Sequence, residues 1–307
     1  MRMRRALVSA WGPRMATQPV IGTVCGVLAI MLFASFTLVS RMGFSATALT
    51  LPDMAMLRFA VAGLVLLPVL IRRGLGPLRW LQAALLVMTG GLGFALFAYA
   101  GFRLAPASHG GVLLHGTIPL LTLVLVRWCS KTPGRATGWA GPVLIQTGIL
   151  IMVWDSVRGA PVHQWLGDGA LLLAALCWSA YGLLNQRWRL APVHSVAIVA
   201  TGSLACFAPV YLLVLPASGL RAAPWHDVVF QGVFQGLLIG VVSGLLYTRA
   251  VASLGAQRTA LFTAAVPCVT TGAAVWLLDE RPSGWAWAGV AAVTLGMAIA
   301  MRSRRTP

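Results

Sequence analysis

Charge is what this chain has least of. Only 9% of its 307 residues are charged, against about a quarter in an ordinary soluble domain. A water-facing surface cannot be assembled from so few charges, so a soluble protein of one or two domains is excluded. Acids are scarcest: six Asp and Glu stand against 23 Lys and Arg, and the only lysine is Lys131. A Gly-x-x-x-x-Gly-Lys phosphate loop is therefore missing, since Ser130 precedes that lysine. No Gly-x-Ser-x-Gly elbow and no intramembrane Asp pair occur, so a membrane hydrolase lacks its chemistry. The five cysteines (25, 129, 177, 206, 268) are odd in number and include no Cys-x-x-Cys. Neither a disulfide framework nor a metal site is indicated, no cofactor is expected, and the chain does not read as an enzyme.

What is abundant is apolar sequence: 59% hydrophobic residues and a mean hydropathy of +0.85. With roughly 20 apolar residues per crossing, the chain holds about ten spans and little else. Apolar runs lie near 20–40, 54–71, 81–102, 106–126, 137–154, 168–186, 193–215, 228–248, 259–278 and 285–301. They are long and continuous rather than alternating, which predicts helices and not barrel strands.

The net charge of +17 does not point to nucleic acid, because the arginines are scattered singly between apolar runs. They fit a topological role instead. With a cytoplasmic N-terminus, 17 of the Lys and Arg residues fall in inner breaks, five in outer breaks, and Arg58 within a span. All six acids (Asp53, Asp155, Asp168, Asp227, Asp279, Glu280) fall on the outer side. This positive-inside bias predicts both termini of a multi-pass membrane protein in the cytoplasm. Arg58 is expected to snorkel outward or to pair with Asp53.

The chain also repeats itself. An offset of 148 residues pairs Tyr99 with Tyr247, Leu113 with Leu261, Pro119 with Pro267 and Thr122 with Thr270. The same register pairs Trp128 with Trp276, Trp139 with Trp287, Gly141 with Gly289 and Gly148 with Gly296. An offset of 145 pairs Phe33 with Trp178, Phe36 with Tyr181 and Ser40 with Asn185. The expected fold is thus an all-α integral membrane protein of ten transmembrane helices in two five-helix repeats. Basic tails at 1–19 and 302–307 flank repeats at 20–155 and 156–301. Because five is odd, the second repeat enters the membrane inverted, and such pairs rock around a site near the midplane.

These features resemble the drug/metabolite transporter superfamily in its ten-helix form with two EamA domains. The resemblance rests on Tyr247-x-x-Ala250, Pro267, Leu278-Asp279-Glu280-Arg281, Gly289 and Gly296. In the first half it rests on Tyr99, Pro119, Gly141, Gly148 and Arg58-Phe59, and at the second repeat's start on Trp178-Ser179-Ala180-Tyr181. The acid before the last helix is present as Glu280 but replaced around Lys131-Thr132. Within the superfamily the chain looks most like the YddG-like amino-acid exporters. That implies export of amino acids by alternating access.

Candidate site residues follow from polar or aromatic side chains inside spans. Trp178, Tyr181 and Asn185, at i, i+3 and i+7, share one face of the sixth span. Tyr99 and Tyr247 are placed on opposite sides of one cavity. Ser243 ends a span with glycine at 232, 236, 240 and 244, a stripe suited to close helix packing. His115 is the one titratable side chain well inside a span, with Thr263 as its counterpart, and His109 lies near the outer mouth. For each residue packing is the competing reading; for His115 it is a bond to a carbonyl freed by Pro119. With no acid in mid-membrane, a carboxylate relay and a membrane Glu for cationic drugs are disfavoured. The expected partners are the bilayer and a small neutral or zwitterionic substrate, an amino acid or similar metabolite, handled by a monomer. Neutral drugs or nucleoside-like metabolites, a channel, and a scaffold without transport are the alternatives.

Overall fold

The computed structural model describes residues 19–105, 107–129, 140–157, 162–214, 219–263, 265–277 and 283–302. Most of both basic tails, Lys131-Thr132 and Leu278-Asp279-Glu280-Arg281 lie outside the described residues. The described residues form ten helical rods, in agreement with the ten apolar runs, and contain no strand.

The first half comprises α1 (Pro19–Ala46), α2 (Leu51–Arg73), α3 (Trp80–Gly90 and Leu92–Leu104), α4 (Ala107–His109, Gly110–Gly116 and Ile118–Cys129) and α5 (Ala140–Val157). The second comprises α6 (Val162–Trp188), α7 (Pro192–Leu213), α8 (Trp225–Gln231, Gly232–Ser243 and Gly244–Leu254), α9 (Ala256–Thr263 and Val266–Leu277) and α10 (Gly284–Arg302). Seven rods, α1 to α4 and α6 to α8, are long and apolar enough to cross a bilayer. Shorter apolar stretches lie in α5 (Ala140–Ile151) and α10 (Trp287–Gly296). Below, the face carrying the start of α1 is the proximal face, and that where α1 ends is the distal face.

Proline and capping residues explain the element ends. Pro52 and Pro192 occupy first turns, where the missing N–H costs nothing. Asp53 closes α2 by accepting from the Thr50 N–H (2.8 Å) and hydroxyl (2.6 Å). It also accepts from Tyr211 Oη (2.6 Å) and the Gly219 N–H (2.9 Å), which ties the distal ends of α2 and α7 together.

Helix packing maps onto itself when the halves are exchanged. α2 packs on α7, α4 on α9 and α5 on α10, while α1 on α8 is mirrored by α6 on α3. At the crossing of α5 and α10 the correspondence is atomic. A side-chain carbon on Gly148 would meet the Gly289 carbonyl at 2.6 Å, and one on Gly296 would meet the Gly141 carbonyl at 2.9 Å. Adding 148 converts Gly141 into Gly289 and Gly148 into Gly296, so each contact is the other with the repeats swapped. Phe59 and Phe207, also 148 apart, touch ring to ring at 5.5 Å between α2 and α7. Even the irregularities recur: α4 turns at Thr117 and α9 at Ala265, each two residues before its repeat-related proline.

The tryptophans sort by depth. Trp80, Trp128, Trp154, Trp165, Trp225, Trp276, Trp285 and Trp287 are all at least half exposed and lie near helix ends. This is the amphipathic girdle of a membrane protein. Among the described tryptophans only Trp178 is buried in the bundle.

Candidate central site

Trp178 sits at the centre of a ring cluster contributed by both halves. Its indole lies 4.6 Å from Phe94 (α3), 4.8 Å from Tyr247 (α8), 5.3 Å from Tyr181 (α6) and 5.6 Å from Phe33 (α1), centroid to centroid. The His115 ring from α4 stacks on Phe33 at 5.4 Å and 25°. These rings are nearly inaccessible to solvent, so in this conformation they fill the space between the repeats rather than line an open cavity.

Buried polar atoms are almost always hydrogen-bonded, which makes the exceptions informative. Among the described residues nine buried side-chain atoms have no hydrogen-bond partner, on Arg58, His115, Thr122, Gln146, Trp178, Asn185, Ser203, Arg249 and Ser253; four of them, Trp178 Nε1, His115 Nδ1, Asn185 Oδ1 and Arg58 Nη1, lie together. All four belong to, or adjoin, the ring cluster. His115 Nδ1 therefore does not take up a carbonyl freed by Pro119, and Asn185 Nδ2 donates only within its own helix, to the Tyr181 carbonyl (2.9 Å). Tyr181 Oη pairs with Ser195 Oγ of α7 at 3.0 Å. Ser243 Oγ donates back to the Ile239 carbonyl at 2.6 Å, a local bond in a glycine-rich stretch of π-helix.

The two tyrosines related by the repeat occupy different levels. Inversion carries a distal position in one half to a proximal position in the other. Tyr247 is accordingly in the central cluster, near the proximal end of α8. Tyr99 lies toward the distal end of α3, with Phe36 and Phe94 between it and Trp178. Its hydroxyl donates to Gln235 Oε1 (3.1 Å), and Gln235 Nε2 donates to Ser40 Oγ and to Gln231 Oε1, both at 3.1 Å. The two do not form opposite walls of one space.

Arg58 departs from the snorkelling expectation. It is 5% exposed, and its guanidinium carbon lies 5.2 Å from the centre of the Phe36 ring and 5.5 Å from that of Phe94. It also lies beside the Tyr99 hydroxyl. Asp53, its expected partner, is occupied by Thr50, Tyr211 and Gly219. Moving a cation out of water costs several kcal/mol, and cation–π contact returns about 2 kcal/mol when desolvated.

Sequence reasoning also missed a buried histidine–carboxylate contact. His109 Nδ1 of α4 lies 2.7 Å from Asp168 Oδ1 of α6, with Gln164 Nε2 3.4 Å from the other ring nitrogen. Asp53 and Asp168 both lie at the distal side, and both are buried in the bundle. Gln231 and Gln235, four apart in an apolar run, are the one part of this network that spacing alone signals.

Two helices carry π-helical stretches at this centre, Gly110–Gly116 in α4 and Gly232–Ser243 in α8. Such segments are rare and concentrate at functional sites. Their glycines admit close neighbours: Gly236 and Gly240 face Val61 and Ala62 of α2. The stripe packs one helix on another, as its spacing suggests.

An all-helical bundle of duplicated, apolar rods with a ring cluster at the meeting of the two halves defines a membrane transporter of the two-repeat class. The chain belongs to the EamA-like transporter family, which matches residues 20–154 and 165–302. It is similar to the uncharacterized transporter YyaM of Bacillus subtilis, 24% identical over 227 residues, covering 69% of this chain and 72% of that one. It also shares its fold with a protein of known crystal structure, at 21% identity and a TM-score of 0.68, covering 92% of this chain and 98% of the other. It is a multi-pass membrane transporter and not an enzyme.

Proposed function

We propose that the protein exports amino acids, aromatic or other neutral ones, across the bacterial inner membrane, with both termini cytoplasmic. Transport is by alternating access: the repeats rock about their shared axis and part the rings between them. Trp178, Tyr181 and Tyr247 present ring faces to the substrate, Tyr99 closes the distal side behind Phe36 and Phe94, and His115, Asn185 and Ser243 supply polar contacts. The path lies within one chain, so a monomer suffices. The observation that carries this reading is the set of unpartnered buried atoms around Trp178. A transported molecule with donors and acceptors on an apolar body would satisfy them.

The test is uptake of a labelled amino-acid panel, including Trp, Phe, Met and Thr, into proteoliposomes beside a Trp178→Ala variant. Saturable uptake reduced at least about 10-fold in the variant is expected from losing a buried aromatic contact. Uptake of nucleosides or neutral drugs, with none of any amino acid, would replace the substrate class. Tags placed after Arg189 and after Glu280 should report opposite sides of the membrane; the same side would overturn the topology.

A further inference from the structure

Arg58 has no role in the scheme above, and its surroundings are those of a receptor for negative charge. It is a permanent cation, 95% buried within a membrane bundle. Its head group lies against both the Phe36 and the Phe94 rings, neither of which neutralises it. Nη1 keeps an unused donor. The distal side is closed by the amide network of Gln231, Gln235 and Tyr99, which carries no formal charge. Asp53, one and a half turns away, accepts from three other residues.

The position is shared with the ring cluster. Phe94 contacts Arg58 with one face and lies 4.6 Å from the Trp178 ring. Trp178 Nε1 in the cluster and Arg58 Nη1 beside it are donors with no partner, free for a molecule that parts the rings. No acid faces the cluster among the described residues: Asp168 is engaged by His109. The repeat also isolates Arg58, because an offset of 148 takes it to Cys206, which is exposed. The duplicated fold therefore does not require a cation here.

We propose that Arg58 is the carboxylate subsite of the transport pathway. It selects substrates bearing a carboxylate on an apolar body, zwitterions and monocarboxylates alike, and rejects amines without one. This rests on the reading of the ring cluster as the substrate site. A carboxylate pairs with the guanidinium through charge-assisted hydrogen bonds, whereas an amine would set two cations together in a dry site.

The experiment is counterflow into proteoliposomes with four related probes: phenylalanine, 3-phenylpropionate, phenylalaninamide and phenethylamine. The wild-type chain should move the two carboxylates and neither of the other two. Arg58→Gln should raise KM for the carboxylates about 30-fold or more, the usual scale for truncating one partner of a buried hydrogen-bonded charge pair. Arg58→Lys should fall between. Equal transport of the amide or the amine by wild type would overturn the subsite while leaving amino-acid export standing. So would an unchanged KM in a folded Arg58→Gln variant. Transport of 3-phenylpropionate without phenylalanine would keep the subsite and remove amino-acid export. If no carboxylate moves, both readings fall. Should Arg58→Gln fail to fold, the comparison of phenylalanine with its amide on the wild-type protein decides.

Discussion

The two halves of this transporter share a backbone plan but not a chemistry. Their helices pack in matching pairs, their interrupted helices break at matching positions, and Gly148 and Gly296 trade the same contact. The side chains at the centre do not match. The first half supplies Arg58 and His115, whose mates are Cys206 and Thr263; the second supplies Trp178, Tyr181 and Asn185, whose mates are Phe33, Phe36 and Ser40. Duplication fixes where two bundles can hinge, because the packing faces must be alike for the exchange of conformations to be near-isoenergetic. Recognition needs one orientation of one molecule, so it falls to the positions where the halves have diverged.

The largest effect should come from breaking the symmetric part. Gly148→Val and Gly296→Val each force a branched side chain against a backbone carbonyl that cannot rotate away. Overpacking of this kind costs about 3 kcal/mol. The two variants should lose equal thermal stability in detergent, because they disturb the same contact from opposite sides. Gly169 and Gly272 have open space where a side chain would project, and valine there should change stability by no more than about 1 kcal/mol, its helix-propensity scale. Unequal losses at 148 and 296, read from unfolding monitored by circular dichroism, would refute a two-fold relation between α5 and α10.

A smaller effect sharpens the asymmetric part. His115 stacks on Phe33, whereas its counterpart Thr263 only bonds the Ala260 carbonyl in its own helix at 2.7 Å. Replacing His115 with Thr makes the halves alike at this position. Loss of the ring stack is worth about 1 kcal/mol, so substrate affinity should drop about 5-fold. Thr263→Ala should leave it within about 2-fold, since it removes a bond made within its own helix. Reversal of that order would place the recognition chemistry in the wrong half.

Hydropathy and the 148-residue register make the ten rods, their pairing into repeats and the inversion legible in the residues alone. The same register misdirects in one respect. Trp128 and Trp276 match because both are interface anchors, whereas the tryptophan that matters at the centre, Trp178, falls opposite Ile30 in this register and meets Phe33 only at an offset of 145. Helix rotation is what sequence conveys poorly here, because lipid-facing and core-facing surfaces are both apolar. Arg58 lies near a span end, so depth alone suggests a side chain reaching toward water; only the facing Phe36 and Phe94 rings show that it points inward. His109 and Asp168, 59 residues apart, have no common motif, and their pairing depends on α4 and α6 being neighbours. Levels are legible only with inversion applied in full: Tyr99 and Tyr247 are equivalent in sequence and therefore opposite in depth.

The His109–Asp168 pair itself offers the finest test of how the halves meet. It joins α4 of the first repeat to α6 of the second at the distal face, beside the π-helical turn that begins at Gly110. The neighbouring contact is close as well: a side-chain carbon on Gly167 would meet the Ala105 backbone nitrogen at 3.0 Å. At the proximal face the tie between the halves is to a backbone carbonyl, the His194 ring nitrogen lying 2.9 Å from the Gly74 carbonyl. The distal seam should thus be the stronger closure, and Asp168→Asn should weaken it while keeping a hydrogen bond. Losing the charge assistance is worth about 0.5–1 kcal/mol, which shifts the population open at the distal face two- to five-fold. A cysteine at Ala105, 1% exposed in the closed arrangement, reports this through labelling by a membrane-impermeant maleimide in a cysteine-free background. Labelling should rise two- to five-fold in the Asp168→Asn chain from the distal side only. An increase from both sides would indicate general loosening, and no increase would show that the pair does not hold the repeats together.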